Sequence, residues 1–392
     1  MCSSMIARLF VTFLLLACAP ALSADTARIV YLGVDSDAYY EPQPGYTGLS
    51  LKDHHRPVDG ARLAIRESRV LGRAQGFSFE LEEHLLEPDA SAAQAVRAAR
   101  KGGALAVLLD LPADQMEAVL ATEGNKGLLF NIRHTNDRWR RADCATALLH
   151  TIPSRSMLSD ALAQHLRSRG WTRVLLLSGD SSEDAEKAES IRRSAAKFGL
   201  QIVADRDFVL TNDPRRRDFS NIALLTGPPA HDVIWLADTQ GEFGRYVPYA
   251  TYSPRPVVGS EGLVAYAWHW AWERYGAPQL NQRFRRIADR DMTSSDWAAW
   301  VAARAIIESA VQTATIDPSV IAGAIHANDF AIDLYKGARG GFRRWDGQLR
   351  QPILLATHNA VISSAPIDGF EHRTDTLDTL GLDEPESLCR RQ

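Results

Sequence analysis

The sequence predicts an α/β fold of two lobes, each built around a parallel sheet. Three observations carry this. Short apolar runs alternate with amphipathic helical runs along most of the chain, the pattern that builds parallel sheets covered by helices. The alternation restarts once, after Pro153. The composition, 45% hydrophobic and 23% charged over 392 residues, is that of an ordinary globular chain long enough for two or three domains.

The elements follow in order. Residues 28–34 read as a short apolar strand, and a polar, turn-rich loop occupies 35–57. Asp59-Gly60 opens a helix with Ala61, Ala64, Ile65, Ser68 and Leu71 on one face, stopped at Gly72. Residues 77–82 alternate as a strand. Ser91 caps a helix carrying Ala92, Ala95, Val96 and Ala99, closed by Gly102-Gly103. A buried-type strand at 104–109, a helix from Ala113 and a strand at 127–132 complete the first run. The second run has a helix at 156–169, a strand at 173–177, a helix at 183–198, and strands at 201–204 and 232–237 flanking a short helix. Residues 257–259 read as one more strand. Helices rich in Ala and Trp are expected at 263–275, 278–289 and 295–314. In the first of these, Trp268 and Trp272 stand at i,i+4 and predict helix packing. The chain closes with a β-rich stretch at 342–364 and a polar tail.

Ligands of open parallel sheets bind outside the carboxyl ends of the strands. That rule selects Asp35, Asp110, residues 133–136, Asp180, Asp238 and Glu261. The first residues read as an address label rather than fold. Arg8 precedes an apolar run at 9–16, and Ala21 and Ser23 supply small residues before Ala24, so 1–23 reads as a secretory signal peptide. Leu15-Leu16-Ala17-Cys18 offers a lipoprotein signal as the alternative. Cleavage leaves Cys144 and Cys389. In an oxidising compartment they are most simply one disulfide, with two unpaired thiols as the other reading.

Other chemistries find no support. The formal net charge of −4 shows no basic excess for nucleic acid. There is no Gly-rich phosphate loop, GxSxG elbow, HExxH, CxxC or EF-hand loop. No nucleophile–base–acid set assembles, so a hydrolase is not expected, and neither is a metal or a cofactor. His54-His55 beside Asp53 reads as an exposed loop or part of a cleft, and Arg215-Arg216-Arg217 as a solvated run.

A signal peptide, two α/β runs, Asp59-Gly60-Ala61-Arg62-Leu63-Ala64-Ile65, and Gly259-Ser260-Glu261-Gly262-Leu263 after a strand resemble the type I periplasmic substrate-binding proteins of ABC transporters. The leucine/isoleucine/valine-binding branch is the one resembled. Leu149-His150-Thr151-Ile152-Pro153-Ser154-Arg155, Pro254-Arg255-Pro256-Val257-Val258-Gly259, Phe342-Arg343-Arg344-Trp345-Asp346-Gly347-Gln348-Leu349-Arg350-Gln351-Pro352 and Leu377-Asp378-Thr379-Leu380-Gly381 look like the substrate-binding proteins associated with PQQ-dependent alcohol dehydrogenase systems.

The resemblance implies two Rossmann-like lobes joined by three crossovers, near 150–154, 259–263 and 342–350. Lobe 1 would hold 24–150 and 263–342, and lobe 2 would hold 151–262 and 343–392. It implies a periplasmic receptor with a small-molecule ligand in the cleft and an ABC permease of the inner membrane as partner. A PQQ-dependent dehydrogenase is a further implied partner. The alternative is a non-transporting accessory or docking protein for such a dehydrogenase. By the same resemblance Glu261 receives a ligand ammonium and Thr135 touches the ligand, with Arg133 and His134 crowding that wall. The family's serine loop is Asp110-Leu111-Pro112-Ala113 here, without serine, and the tyrosine after Gly179-Asp180 is missing. A plain branched-chain amino acid is therefore not expected. The loop at 35–57, with Tyr39, Tyr40, Asp53, His54 and Arg56, would line a different pocket.

Overall fold

The computed structural model describes residues 25–389. The expected signal peptide, 1–23, and Cys18 lie outside the described residues. In the first half, strands β1 (Asp25–Val34), β2 (Phe77–Leu86), β3 (Ala106–Asp110), β4 (Leu129–Asn131) and β5 (Leu148–His150) alternate with helices α1 (Val58–Gln75), α2 (Ala92–Lys101) and α3 (Ala113–Glu123). The strands form one sheet in the order β2-β1-β3-β4-β5, with every neighbouring pair parallel.

The period-2 geometry of a strand explains why this sheet is covered on both faces. Along β1, Ala27, Ile29 and Tyr31 enter one core. Val30, Leu32 and Val34 enter the other. Part of the first core comes from far along the chain, from α8 (Ala277–Ala288), α9 (Ser294–Thr313) and α10 (Pro318–Ile325). Gly60 shows why the Asp59-Gly60-Ala61 element needs its glycine. A Cβ there would stand 1.9 Å from the Asp296 carbonyl oxygen, so α1 and α9 meet backbone to backbone. Asp296 also completes a capping box with Thr293 at the start of α9 and pairs with Arg290 at 2.6 Å.

The second half repeats the plan with α4 (Arg155–Ser168), β6 (Arg173–Ser178), α5 (Ser182–Lys197), β7 (Gln201–Asp207), α6 (Ile222–Leu225), β8 (Val233–Ala237), α7 (Val247–Ala250) and β9 (Val257–Gly259). Its parallel sheet runs β7-β6-β8-β9. Val233, Trp235 and Ala237 face the core under α4 and α5. Ile234 and Leu236 face the opposite one. A third, antiparallel sheet joins β10 (Val264–Tyr266), β13 (Ile353–Ala356) and β14 (Val361–Ala365) and packs on α4. The two-residue strands β11 (Ile332–Asp333) and β12 (Arg339–Gly340) make a small hairpin-like pair.

The structure corrects two readings of the sequence. The expected helix at 263–275 does not form. Its first residues are β10, and Trp268 and Trp272 follow in turns and irregular backbone. Trp268 stacks on Trp297 at 6.2 Å and donates to Asn281 Oδ1, while Trp272 donates to the Tyr335 carbonyl oxygen. Helix α1 also runs past Gly72 to Gln75 and ends at Gly76 with φ 82°. Gly72 serves close packing instead, since a Cβ there would lie 2.7 Å from the Phe77 carbonyl oxygen.

Three chain passages connect the two parallel sheets, and buried polar side chains stitch them together. Gln348 Nε2 donates to the carbonyl oxygens of His150 and Ile152, each at 3.1 Å. Arg140 Nε donates to Gln348 Oε1 at 2.6 Å. Gln351 Nε2 donates to the Thr151 carbonyl oxygen at 2.8 Å. Lys336 Nζ reaches Ala267 O, Gln351 Oε1 and Pro352 O at 2.9, 3.0 and 2.8 Å, and lies over the Trp297 ring. Burial pushes the proton affinity of this amine well down, and the three acceptors oppose that by matching the three protons of its charged form. Cys144 and Cys389 are joined as a disulfide. Among the described residues no helix is long and apolar enough to cross a membrane.

Candidate functional site

The segment 35–57 leaves the carboxyl end of β1 in the first parallel sheet and reaches the turn after the carboxyl end of β8 in the second. On the first wall, β1 ends before Asp37, β3 ends at Asp110 and β4 ends before Arg133. Asp110 is fully buried and accepts hydrogen bonds from the Tyr31 hydroxyl and, at 2.6 Å, from the Tyr40 hydroxyl. Burial pushes the Asp110 carboxyl up, against the opposing pull of Arg133 and the two hydroxyls. Arg133 Nη1 lies 2.5 Å from Asp37 and 3.7 Å from Asp110. The Arg133 guanidinium sits 4.2 Å from the Tyr39 ring centroid, and Tyr39 stacks on His54 at 4.1 Å. Burial opposes ionisation of Asp37, but its bonds to Arg133 and the Tyr39 N–H outweigh that and hold its carboxyl low.

His134 turns away from the cleft. Its Nε2 lies 2.7 Å from the Leu111 carbonyl oxygen, an acceptor only, so Nε2 carries the proton. Burial lowers its pKa to about 4. Thr135 contributes its carbonyl oxygen, which accepts the Arg155 N–H at 2.7 Å across the first passage between the sheets. Asp53 is exposed on the crossing segment.

On the second wall, Asp238 is consumed by its own turn. One carboxylate oxygen accepts the Gly241 N–H at 2.8 Å and the other the Gly244 N–H at 2.6 Å. Asp184 accepts the Thr239 N–H at 2.6 Å. Gly259, at φ 107° and with a would-be Cβ 2.3 Å from the Leu236 carbonyl oxygen, makes the sharp turn that delivers Ser260 and Glu261. Ser260 Oγ accepts from the Asp238 N–H at 2.8 Å and from Lys187 Nζ at 2.7 Å. Burial and the nearby Lys52 ammonium lower Lys187 to about 8. The Glu261 carboxylate makes no hydrogen bond among the described residues. Burial and the charge of Asp238 raise its pKa, against the pull of Lys52 and Lys187.

The crossing segment ties the walls together. Pro44 and Ser50 pair as an antiparallel bridge, giving it a hairpin tip. The Thr47 N–H donates to Glu242 Oε1 at 2.7 Å, and Lys52 Nζ donates to the Thr239 carbonyl oxygen. Glu242 is 2% exposed, so the contact is desolvated on its acceptor side.

The structure thus gathers Asp110, Arg133 and Tyr39 on one wall and Asp238 and Glu261 on the other. It leaves Asp53 outside and turns His134 inward. Tyr31, Asp37, Lys52 and Lys187 belong to the same surfaces and escaped the sequence reading. Only the Tyr39-Tyr40 pair in the post-strand loop hinted at them. Among the described residues no group of three or more metal-ligating side chains occurs.

No protein-family model matches the chain, and no curated protein matches it. Solved structures do. A branched-chain amino acid ABC transporter periplasmic ligand-binding protein from Burkholderia xenovorans aligns at TM-score 0.66 and 15% identity, over 86% of this chain and 95% of its own. An amino acid ABC transporter substrate-binding protein from Pseudomonas fluorescens aligns at TM-score 0.67 and 14% identity, over 94% and 99%. A solute-binding protein of an ABC transporter from R. palustris, solved with benzoate, aligns at TM-score 0.61 and 11% identity, over 93% and 99%. The fold is α/β with parallel sheets, that of the type I periplasmic binding proteins.

Proposed function

We propose that this chain is an extracytoplasmic solute-binding receptor of an ABC-type importer. What supports this reading is the fold, two parallel sheets whose carboxyl ends are linked by the 35–57 segment, with Asp110 and Arg133 at the end of the first and Glu261 after the second. Such an arrangement binds a small solute between two bodies and couples binding to hinge motion. No catalytic role is assigned. The chain acts in the periplasm, after removal of 1–23, with lobes of 24–150 plus 263–342 and 151–262 plus 343–392. Its receiving partner is an inner-membrane permease. The long strings that resemble the PQQ-dependent alcohol dehydrogenase systems support a link to alcohol oxidation.

One observation favours a second reading. The segment 35–57 already bridges the cleft through Thr47 and Lys52, as it would in an accessory protein of a periplasmic dehydrogenase that has given up transport. Mass spectrometry of protein purified natively from its periplasm separates the two. A stoichiometric small molecule released on denaturation supports the receptor. A dehydrogenase or cytochrome co-purifying with a solute-free cleft overturns it.

A further inference from the structure

The segment 35–57 is pinned to the first sheet at both ends and reaches the second with its middle. At its neck the Arg56 guanidinium donates to the carbonyl oxygens of Val34 and Asp35, so the chain returns to the end of β1 that it left. The Tyr40 hydroxyl sits on Asp110, at the end of β3, at 2.6 Å. Tyr39 lies under the Arg133 guanidinium at 4.2 Å and stacks on His54 at 4.1 Å, which joins the outgoing and returning arms. The middle is a hairpin: Pro44 pairs with Ser50, the Gly45 N–H donates to the Leu49 carbonyl oxygen at 2.9 Å, and Gly48 turns at φ 78°. Its tip rests on the turn after β8, where the Thr47 N–H donates to Glu242 Oε1 at 2.7 Å and Lys52 Nζ to the Thr239 carbonyl oxygen. A Cβ on Gly45 would stand 2.0 Å from Glu242 Oε2, so the tip fits only as glycine. The receiving turn is preformed, because Asp238 already holds the Gly241 and Gly244 N–H groups. Tyr46, Leu49 and Leu51 stay 48%, 51% and 37% exposed, so apolar burial is not what holds the tip. That leaves the bond to the buried Glu242, whose carboxylate is the stronger kind of acceptor.

We propose that this segment is a strap that holds the two parallel sheets together at their carboxyl ends with no solute present, and that Glu242 is its latch. The passages between the sheets leave a hinge motion open to the chain. The strap opposes it: the sheet ends separate only if the Thr47–Glu242 and Lys52–Thr239 bonds break or Tyr40 leaves Asp110. The Arg56 clamp at the neck denies the segment slack at its base. This goes beyond the receptor reading and does not rest on it, since every contact invoked lies within the chain. In a receptor the latch has to release before a solute enters.

The test needs no ligand. Gly45→Val drives a side chain into the Glu242 carboxylate from the hairpin side, and Glu242→Ala removes the acceptor from the β8 side. Small-angle X-ray scattering of the full chain reads the separation of the two halves, and amide hydrogen exchange over 44–52 reads the tip. The wild type is expected to scatter with the radius of gyration of the structure described above. Each variant is expected to show a larger radius, with exchange over 44–52 faster by at least about tenfold. Faster exchange at an unchanged radius overturns the proposal, because the tip then lies on the turn without restraining the sheets. Unchanged exchange overturns it as well, because Glu242 is then no latch. Gly45 lies on a partly exposed hairpin, so Gly45→Val reads the outcome even where Glu242→Ala fails to fold.

Discussion

His134 shows how one side chain at the end of β4 converts burial into pH dependence. Its pKa is lowered to about 4 chiefly by burial, with Arg133 and Arg140 adding to the shift. In the unfolded chain a histidine titrates near 6.5. Between those values the unfolded state binds more protons, so stability rises with pH and is lost as pH falls from about 6.5 to 4. The loss attributable to this ring is about 2–3 kcal/mol. Urea unfolding at pH 7 and pH 4 is expected to show it in the wild type. His134→Gln, which keeps a donor for the Leu111 carbonyl oxygen, is expected to flatten the difference by that amount. An unchanged pH slope in the variant would sink the assignment. The sequence showed His134 at a strand end and predicted a cleft residue. It could not show which way the ring turns, because the Leu111 carbonyl and the edge-on Trp139 ring, 5.0 Å away, are set by packing.

At the scale of elements, local periodicity was readable where a strand or helix is defined by its own residues. The odd and even positions of β1, sorted into two cores, are the clearest instance. It failed at 263–275, because β10 exists only by pairing with β13, Tyr266 opposite Leu354. The i,i+4 spacing of Trp268 and Trp272 imitates a helix there, while both indoles are held by distant partners. The Asp59-Gly60-Ala61 element is legible as a family resemblance, and the structure supplies its cause. Gly60→Ala places a methyl group 1.9 Å from the Asp296 carbonyl oxygen. The backbone of α9 cannot yield without disturbing its capping box and the Arg290–Asp296 pair. We expect a loss of at least about 2 kcal/mol, read as a lower urea midpoint with unchanged m-value. A wild-type midpoint would show that α1 and α9 can separate freely.

Across the whole molecule, the tail is held to the second half and then tied back to the first. Lys197 Nζ donates to the carbonyl oxygens of Thr379 and Gly381 at 3.1 and 2.7 Å, and Asp160 accepts the Gly381 N–H at 2.8 Å. Arg343, 1% exposed, bonds Asp378 at 2.8 Å and the Leu380 carbonyl oxygen at 2.7 Å. These contacts fix the tail on α4, α5 and the third passage between the sheets. The Cys144–Cys389 bond then carries it to the segment before β5, over a sequence separation of 245. The cysteine count made this pairing legible, whereas the reach of Lys52 to Thr239, across 187 residues, left no local mark. In the chain-entropy account, so long a closed loop contributes about 5 kcal/mol by restricting the unfolded chain. Cys389→Ser is expected to lower the unfolding free energy toward that amount. Dithiothreitol should do the same to the wild type and nothing further to the variant. The native tail contacts through Arg343 and Lys197 do not need the bond, so the folded variant is expected to keep its tail protected from limited proteolysis at pH 7. A tail cut rapidly in folded Cys389→Ser would mean that the disulfide holds the tail in the native state, and that its contribution is native contact rather than chain entropy.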